Sequence, residues 1–177
     1  ENVPLRKLPD HITMIGYQTF RGCTHLALVA LPVKVRHVGR NAFYECGQMT
    51  LNEGMGDALV HIGDAAFFDC HALNPPKLPK TLKTIGVGTF AGCSSLVLHG
   101  GIPKDVTAIG EDCFAECTSL TLACWNPELI RTLAAGGMDA IGVGAFRGCN
   151  ALAAEVRNTL RYHAPWAFRP PVDEYSD

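Results

Sequence analysis

The sequence predicts an α/β-type repeat solenoid, on three observations. A nine-residue phrase recurs six times: IGYQTFRGC from Ile15, VGRNAFYEC from Val38, IGDAAFFDC from Ile62, IGVGTFAGC from Ile85, IGEDCFAEC from Ile109 and IGVGAFRGC from Ile141. Its phenylalanines, Phe20, Phe43, Phe67, Phe90, Phe114 and Phe146, are separated by 23, 24, 23, 24 and 32 residues, so the last interval carries an insertion. Three residues beyond each phrase-ending cysteine stands Leu26, Met49, Leu73, Leu96, Leu120 or Leu152. Self-similarity at a fixed period marks stacked repeats, none of which can bury its own apolar face alone.

Each element of the repeat has a physical reading. The glycine of the phrase (Gly16, Gly39, Gly63, Gly86, Gly110, Gly142) follows a β-branched residue, where the backbone needs either positive φ or a close approach to its neighbour. The residue before each Phe is small (Thr19, Ala42, Ala66, Thr89, Cys113, Ala145), which fits a tight helical or 3-10 turn whose next side chain points inward. Leu-X-Leu at 26–28, 96–98 and 120–122 alternates as a short strand with one buried face. Leu8-Pro9, Leu31-Pro32, Leu78-Pro79 and Ile102-Pro103 then turn the chain.

Two segments do not repeat. An insertion at about 124–137 reads as a helix, with Asn126 as N-cap, Pro127 at the first position, Glu128 in the first turn and Gly136 at the end. The repeats and this insertion are assigned to residues 1–155. Residues 156–177 are read as a cap helix, from the spacing of Val156, Leu160 and Tyr162, followed by an extended Pro-rich arm. Deleting 157–177 is expected to leave the repeats folded.

The phrase I-G-x-x-(A/T)-F-x-x-C-x-x-L, with Leu-Pro between units, resembles the BspA-like, Treponema-type class of leucine-rich repeat over about residues 8–155. The resemblance implies a solenoid with a parallel sheet of the Leu-X-Leu segments on its concave side and the Gly-to-Phe turns on its convex side. Repeat two departs at Asn52-Glu53-Gly54-Met55-Gly56, which lacks Leu-Pro, and repeat three at Asn74-Pro75-Pro76. The resemblance also implies protein recognition, with cell-surface adhesins among similar proteins.

Composition narrows the function. The 177 residues are 47% apolar and 18% charged with a net charge of −2, which disfavours disorder and a nucleic-acid-coating surface. No stretch approaches the roughly eighteen apolar residues of a membrane span. No Asn-X-Ser/Thr sequon occurs and no leader pattern opens the chain at Glu1, where a removed targeting segment or a neighbouring unit is equally compatible with the start. Six of the eight cysteines (Cys23, Cys46, Cys70, Cys93, Cys117, Cys149) share one repeat position and are expected to form a buried ladder. Cys113 fills the small position before Phe114, and Cys124 has no assigned place. The ladder argues neither for nor against secretion; the compartment expected is a thiol-reducing intracellular or organellar one, with the cell surface as the alternative.

No catalytic, metal-ligating or cofactor-binding residue is expected. Cys-X-X-Cys is absent, and Gly86-Val87-Gly88 lacks the Lys-Ser/Thr of a phosphate cradle. His37 and His61 share one repeat position, but no third ligand or carboxylate recurs beside them, so a solvated edge is the reading. The function expected is therefore a non-enzymatic scaffold for protein–protein interaction, an accessory subunit of a multi-subunit complex, with an adhesin as the alternative. Thr50, Val97 and Thr121, outward neighbours of the strand leucines, line the expected contact face. Trp125, Trp166, Phe168 and Arg169 lie in the non-repeating segments, where aromatic and Arg side chains anchor interfaces, although Trp166 serves equally to cap the open core. Lys34, Arg36, Lys77, Lys80, Lys83 and Lys104 form a basic edge, either solubilising or facing an acidic partner.

Overall fold

The computed structural model describes residues 4–124 and 126–170. Five two-residue strands form a parallel sheet in sequential order: β1 (Met14–Ile15), β2 (His37–Val38), β3 (His61–Ile62), β4 (Thr84–Ile85) and β5 (Ala108–Ile109). Their register repeats from rung to rung, Ile15 opposite Val38, then Ile62, Ile85 and Ile109, and Ile141 adds a single bridge to Ile109. The β-branched residue of each strand is buried, and the residue before it faces outward. Each rung therefore presents one side chain to the core and one to the sheet face.

The sheet is not built from Leu-X-Leu, as expected, but from the two residues that precede each phrase glycine. In the second, fourth and fifth rungs the reason lies in the backbone: Leu51, Leu98 and Leu122 adopt φ of 47°, 54° and 52°, which breaks the extended alternation. These leucines are still buried, and their segments still bond between rungs, as in Asn74 N–H to Thr50 O at 2.9 Å. The phrase glycines also differ from one of their two readings. None has positive φ; instead a Cβ at Gly39 would stand 2.8 Å from the carbonyl carbon of Gly16, and one at Gly63 would stand 2.7 Å from Arg40 N. Adjacent rungs touch here through backbone alone, so close approach is the cause.

Positive φ falls elsewhere. Gln18, Asn41, Ala65, Gly88, Asp112 and Gly144 share one left-handed position, and Gly22, Glu45, Asp69, Gly92, Glu116 and Gly148 share another. Two left-handed residues per phrase keep the expected helical turn from continuing: single i to i+3 turns, such as Ala42 N–H to Gly39 O and Cys46 N–H to Phe43 O, follow one another instead.

Between these turns the core is a stack. The six phenylalanine rings lie face over face with centroids 5.3, 5.4, 5.5, 5.5 and 5.5 Å apart. Each Phe N–H donates to the carbonyl of the small residue in the next rung, for example Phe43 to Ala66 at 2.8 Å and Phe114 to Ala145 at 2.9 Å. The first five Phe carbonyls then accept the thiol of the next rung's cysteine: Cys46 to Phe20, Cys70 to Phe43, Cys93 to Phe67, Cys117 to Phe90 and Cys149 to Phe114, all at 3.0–3.1 Å. The small-Phe-x-x-Cys spacing thus satisfies both backbone groups of the phenylalanines from Phe20 to Phe114 between rungs. Cys23 is the exception to the buried ladder: it is exposed, because no phenylalanine of an earlier phrase stands above it. Cys113 is buried and Cys124 exposed.

The insertion folds as helix α1 (Pro127–Ala135), with the Asn126 side chain accepting from the N–H groups of Glu128 and Leu129 at 3.1 and 3.2 Å. Leu129, Ile130 and Leu133 face the core. A 3-10 turn, Gly137–Asp139, returns the chain to the sixth rung. Helix α2 (Ala154–His163) buries Val156 and Leu160. Pro165–Phe168, expected in an extended arm, is a 3-10 turn, and residues 171–177 of that arm lie outside the described residues. The turn copies a rung: Phe146 N–H donates to Ala167 O at 2.8 Å and Gly144 N–H to Trp166 O at 3.1 Å. Ala167-Phe168 repeats the small-Phe pair of the phrase, and residues 154–168 pack against the last rung.

Candidate functional site

Because every strand contributes one outward residue in the same register, the sheet displays a row: Met14, His37, His61, Thr84 and Ala108. The row changes character along its length. Its first three members are large and exposed, with Met14 at 63%, and its last two are small and half-buried. The imidazoles of His37 and His61 stand 6.5 Å apart, centroid to centroid, with planes tilted by 48°. His61 Nδ1 lies 3.3 Å from Thr84 Oγ1, within reach of a hydrogen bond. Just beyond each phrase glycine, Tyr17 and Val87 are 66% and 49% exposed. Asp64 accepts the Val87 N–H at 2.9 Å, which stiffens that margin.

The sequence-predicted contact residues fall in two other places. Thr50, Val97 and Thr121 are brought together with Asn74 as a stripe across neighbouring rungs, beside the sheet and not on it. They are half-buried and engaged: Thr50 Oγ1 donates to Asn52 Oδ1 at 3.1 Å, Val97 N–H to Asn74 Oδ1 at 3.2 Å, and Thr121 Oγ1 to Val97 O at 3.3 Å. Trp166, Phe168 and Arg169 belong to the C-terminal cap. Trp166 Nε1 donates to Ile141 O, the Arg161 guanidinium lies 5.5 Å above the Phe168 ring, and Arg169 is exposed. The Trp166 indole is half-buried and packs against the core. Trp125 lies outside the described residues. Sequence reasoning missed the sheet row because it placed the strand one segment too late; the signal was the residue before each Ile-Gly or Val-Gly.

The basic edge is partly neutralised within the chain. Lys83 and Lys104 reach the Asp105 carboxylate at 3.3 and 3.0 Å, and Lys77 lies 3.8 Å from Asp57. The hydrogen bonds from Lys104 and then Lys83 hold the Asp105 carboxyl below its ordinary range. An open groove of about 540 Å³ separates this edge from α1, with Val106, Leu129 and Leu133 on its wall. Among the described residues, no three of His, Cys, Asp and Glu converge in a way that would hold a metal ion. No described helix is long and apolar enough to cross a membrane.

Comparison with known proteins agrees with this geometry. Residues 2–121 match the BspA type leucine rich repeat region, in six copies. No curated protein matches the sequence. A leucine-rich repeat protein from Bacteroides ovatus is 33% identical over 67% of this chain with a TM-score of 0.58, and this chain spans 30% of that protein's length. The T. pallidum leucine rich repeat protein is 26% identical over 89% of this chain and 81% of its own, with a TM-score of 0.63. The sixth rung, from Ile141, lies beyond the matched region yet continues the same phenylalanine and thiol stacks. By its repeats and their stacking, the chain belongs to the BspA-type leucine-rich repeat proteins.

Proposed function

We propose that this chain is a non-enzymatic protein-recognition scaffold that contributes to a larger assembly and meets its partner through the sheet face. The observation that supports this reading is the exposed row of Met14, His37 and His61 beside Tyr17, on a framework whose backbone is bonded from rung to rung. Such a surface is rigid before binding, so little ordering entropy opposes association. Met and Tyr are interface-enriched types, and exposed side chains of this size on one face are the form a contact centre takes.

Its test is co-purification from the native source with the wild-type chain and with Tyr17→Ala/His61→Ala. Both side chains are exposed, so the variant keeps its fold. Loss of at least tenfold in a recovered partner is expected. Equal recovery, with the partner lost instead on substituting Thr50, Val97 and Thr121, returns recognition to the stripe beside the sheet.

A further inference from the structure

Met14, His37 and His61 occupy three consecutive strands in one register. We propose that this row binds a soft monovalent cation, Cu(I), through the two imidazoles and the Met14 thioether. The inference uses the same side chains as the proposed recognition face, but its readout is an ion and needs no partner.

The chemistry comes first. Imidazole suits copper, and a thioether selects its reduced, soft form over harder ions. A sequence search for His, Cys and carboxylates passes over this site, because its third member is a methionine. The geometry comes next. An imidazole held at about 2.0–2.1 Å has its ring centre about 3.2 Å from the ion, so two rings sharing one ion stand about 5 Å apart in tetrahedral geometry and about 6.4 Å apart when opposed across it. The 6.5 Å between His37 and His61 lies just beyond the opposed limit, so the rings must close by about 1 Å to share an ion with Met14 as third ligand. Both rings and Met14 are exposed, so rotation about χ1 and χ2 closes the remaining gap without disturbing the core. The hydroxyl of Thr84 supplies an outer partner: in the His61 tautomer whose Nδ1–H donates to Thr84 Oγ1, Nε2 carries the lone pair available to a metal.

The test uses the 177-residue chain with the exposed Cys23 and Cys124 replaced by serine, so that thiols do not compete. Under anaerobic conditions Cu(I) is partitioned between the protein and a chromophoric Cu(I) chelator, and Ni(II) is titrated separately by calorimetry. One Cu(I) per chain is expected. His37→Ala and His61→Ala each weaken it at least tenfold, and His25→Ala leaves it unchanged. Met14→Leu weakens Cu(I) severalfold and leaves Ni(II), a poor thioether binder, as it was. Cu(I) affinity that survives either histidine substitution or Met14→Leu overturns the assignment, as does an absence of Cu(I) binding in the parent.

Discussion

Ala65 and Gly63 stand two residues apart in one phrase and make opposite demands on a side chain. Ala65 sits at φ 49°, where a Cβ is strained, whereas Gly63 has ordinary φ and no room, with backbone atoms of Gly39 and Arg40 against it. Ala65→Gly is expected to raise stability by up to about 1 kcal/mol, the relief of left-handed strain less the entropy that glycine adds to the unfolded chain. Gly63→Ala is expected to cost about 3 kcal/mol or more, because the obstacle is backbone that cannot swing away. Urea denaturation checks both; a neutral Gly63→Ala sinks the close-approach account. The buried thiols give a second expectation at this scale. Burial pushes Cys46 and Cys149 up to about 12 from the ordinary 9.0, and raises Cys70, Cys93, Cys113 and Cys117 as well. The unfolded chain therefore releases these protons first as pH rises. Stability is fully present below pH 9.0 and falls between there and about 12, by up to about 1.4 kcal/mol per pH unit for each thiol. Urea midpoints across that window read the slope, which Cys70→Ala should reduce; a flat profile shows that the thiols are not shielded.

Within one element, the phenylalanine stack, position should set cost. Phe67 is fully buried between two rings, while Phe20 has a ring on one side only and remains half-buried. Phe67→Ala is expected to cost about 3–5 kcal/mol, and Phe20→Ala less than half of that. Equal losses by thermal or urea unfolding would show that the stack is not the unit of stability. The same element explains what the sequence made legible. Phe, Cys, the small residue and the phrase glycine are fixed by contacts that repeat from the second rung onward, so they recur as letters. The left-handed position does not recur as a letter: Gln18, Asn41, Ala65, Gly88, Asp112 and Gly144 all occupy it, since backbone conformation is demanded there and no particular side chain is. For the same reason Leu-X-Leu read as a strand. Its leucines are buried as alternation implies, but at Leu98 and Leu122 the second has turned left-handed, and that turn has no sequence signature. The sheet row was hidden by this one-segment error, and its residues vary from rung to rung as an outward surface permits.

At the scale of the whole molecule, a stack of rungs is held mainly by nearest neighbours, so its ends decide how far disorder enters. The C-terminal end is closed by α2 and the Pro165–Phe168 turn: Val156, Leu160, Ala164 and Ala167 are buried, Trp166 holds Ile141 O, and the turn accepts two N–H groups of the last rung. That closure was legible as a helix followed by a Pro-rich segment. Its imitation of a rung was not, because Ala167-Phe168 is a two-letter remnant of the phrase. Ending the chain at Ala153 removes the buried Val156 and Leu160, at about 1.5–3 kcal/mol each, and strips acceptors from Gly144 and Phe146. A loss of the order of 5 kcal/mol is expected, carried unevenly. Amide hydrogen exchange should show protection lost at Phe146 and Gly144, weakened at Phe114 and little changed at Phe43, since each interface shields the next. Uniform loss along all six rungs would mean that the solenoid unfolds as one cooperative block, and undiminished protection at Phe146 that the cap is ornamental.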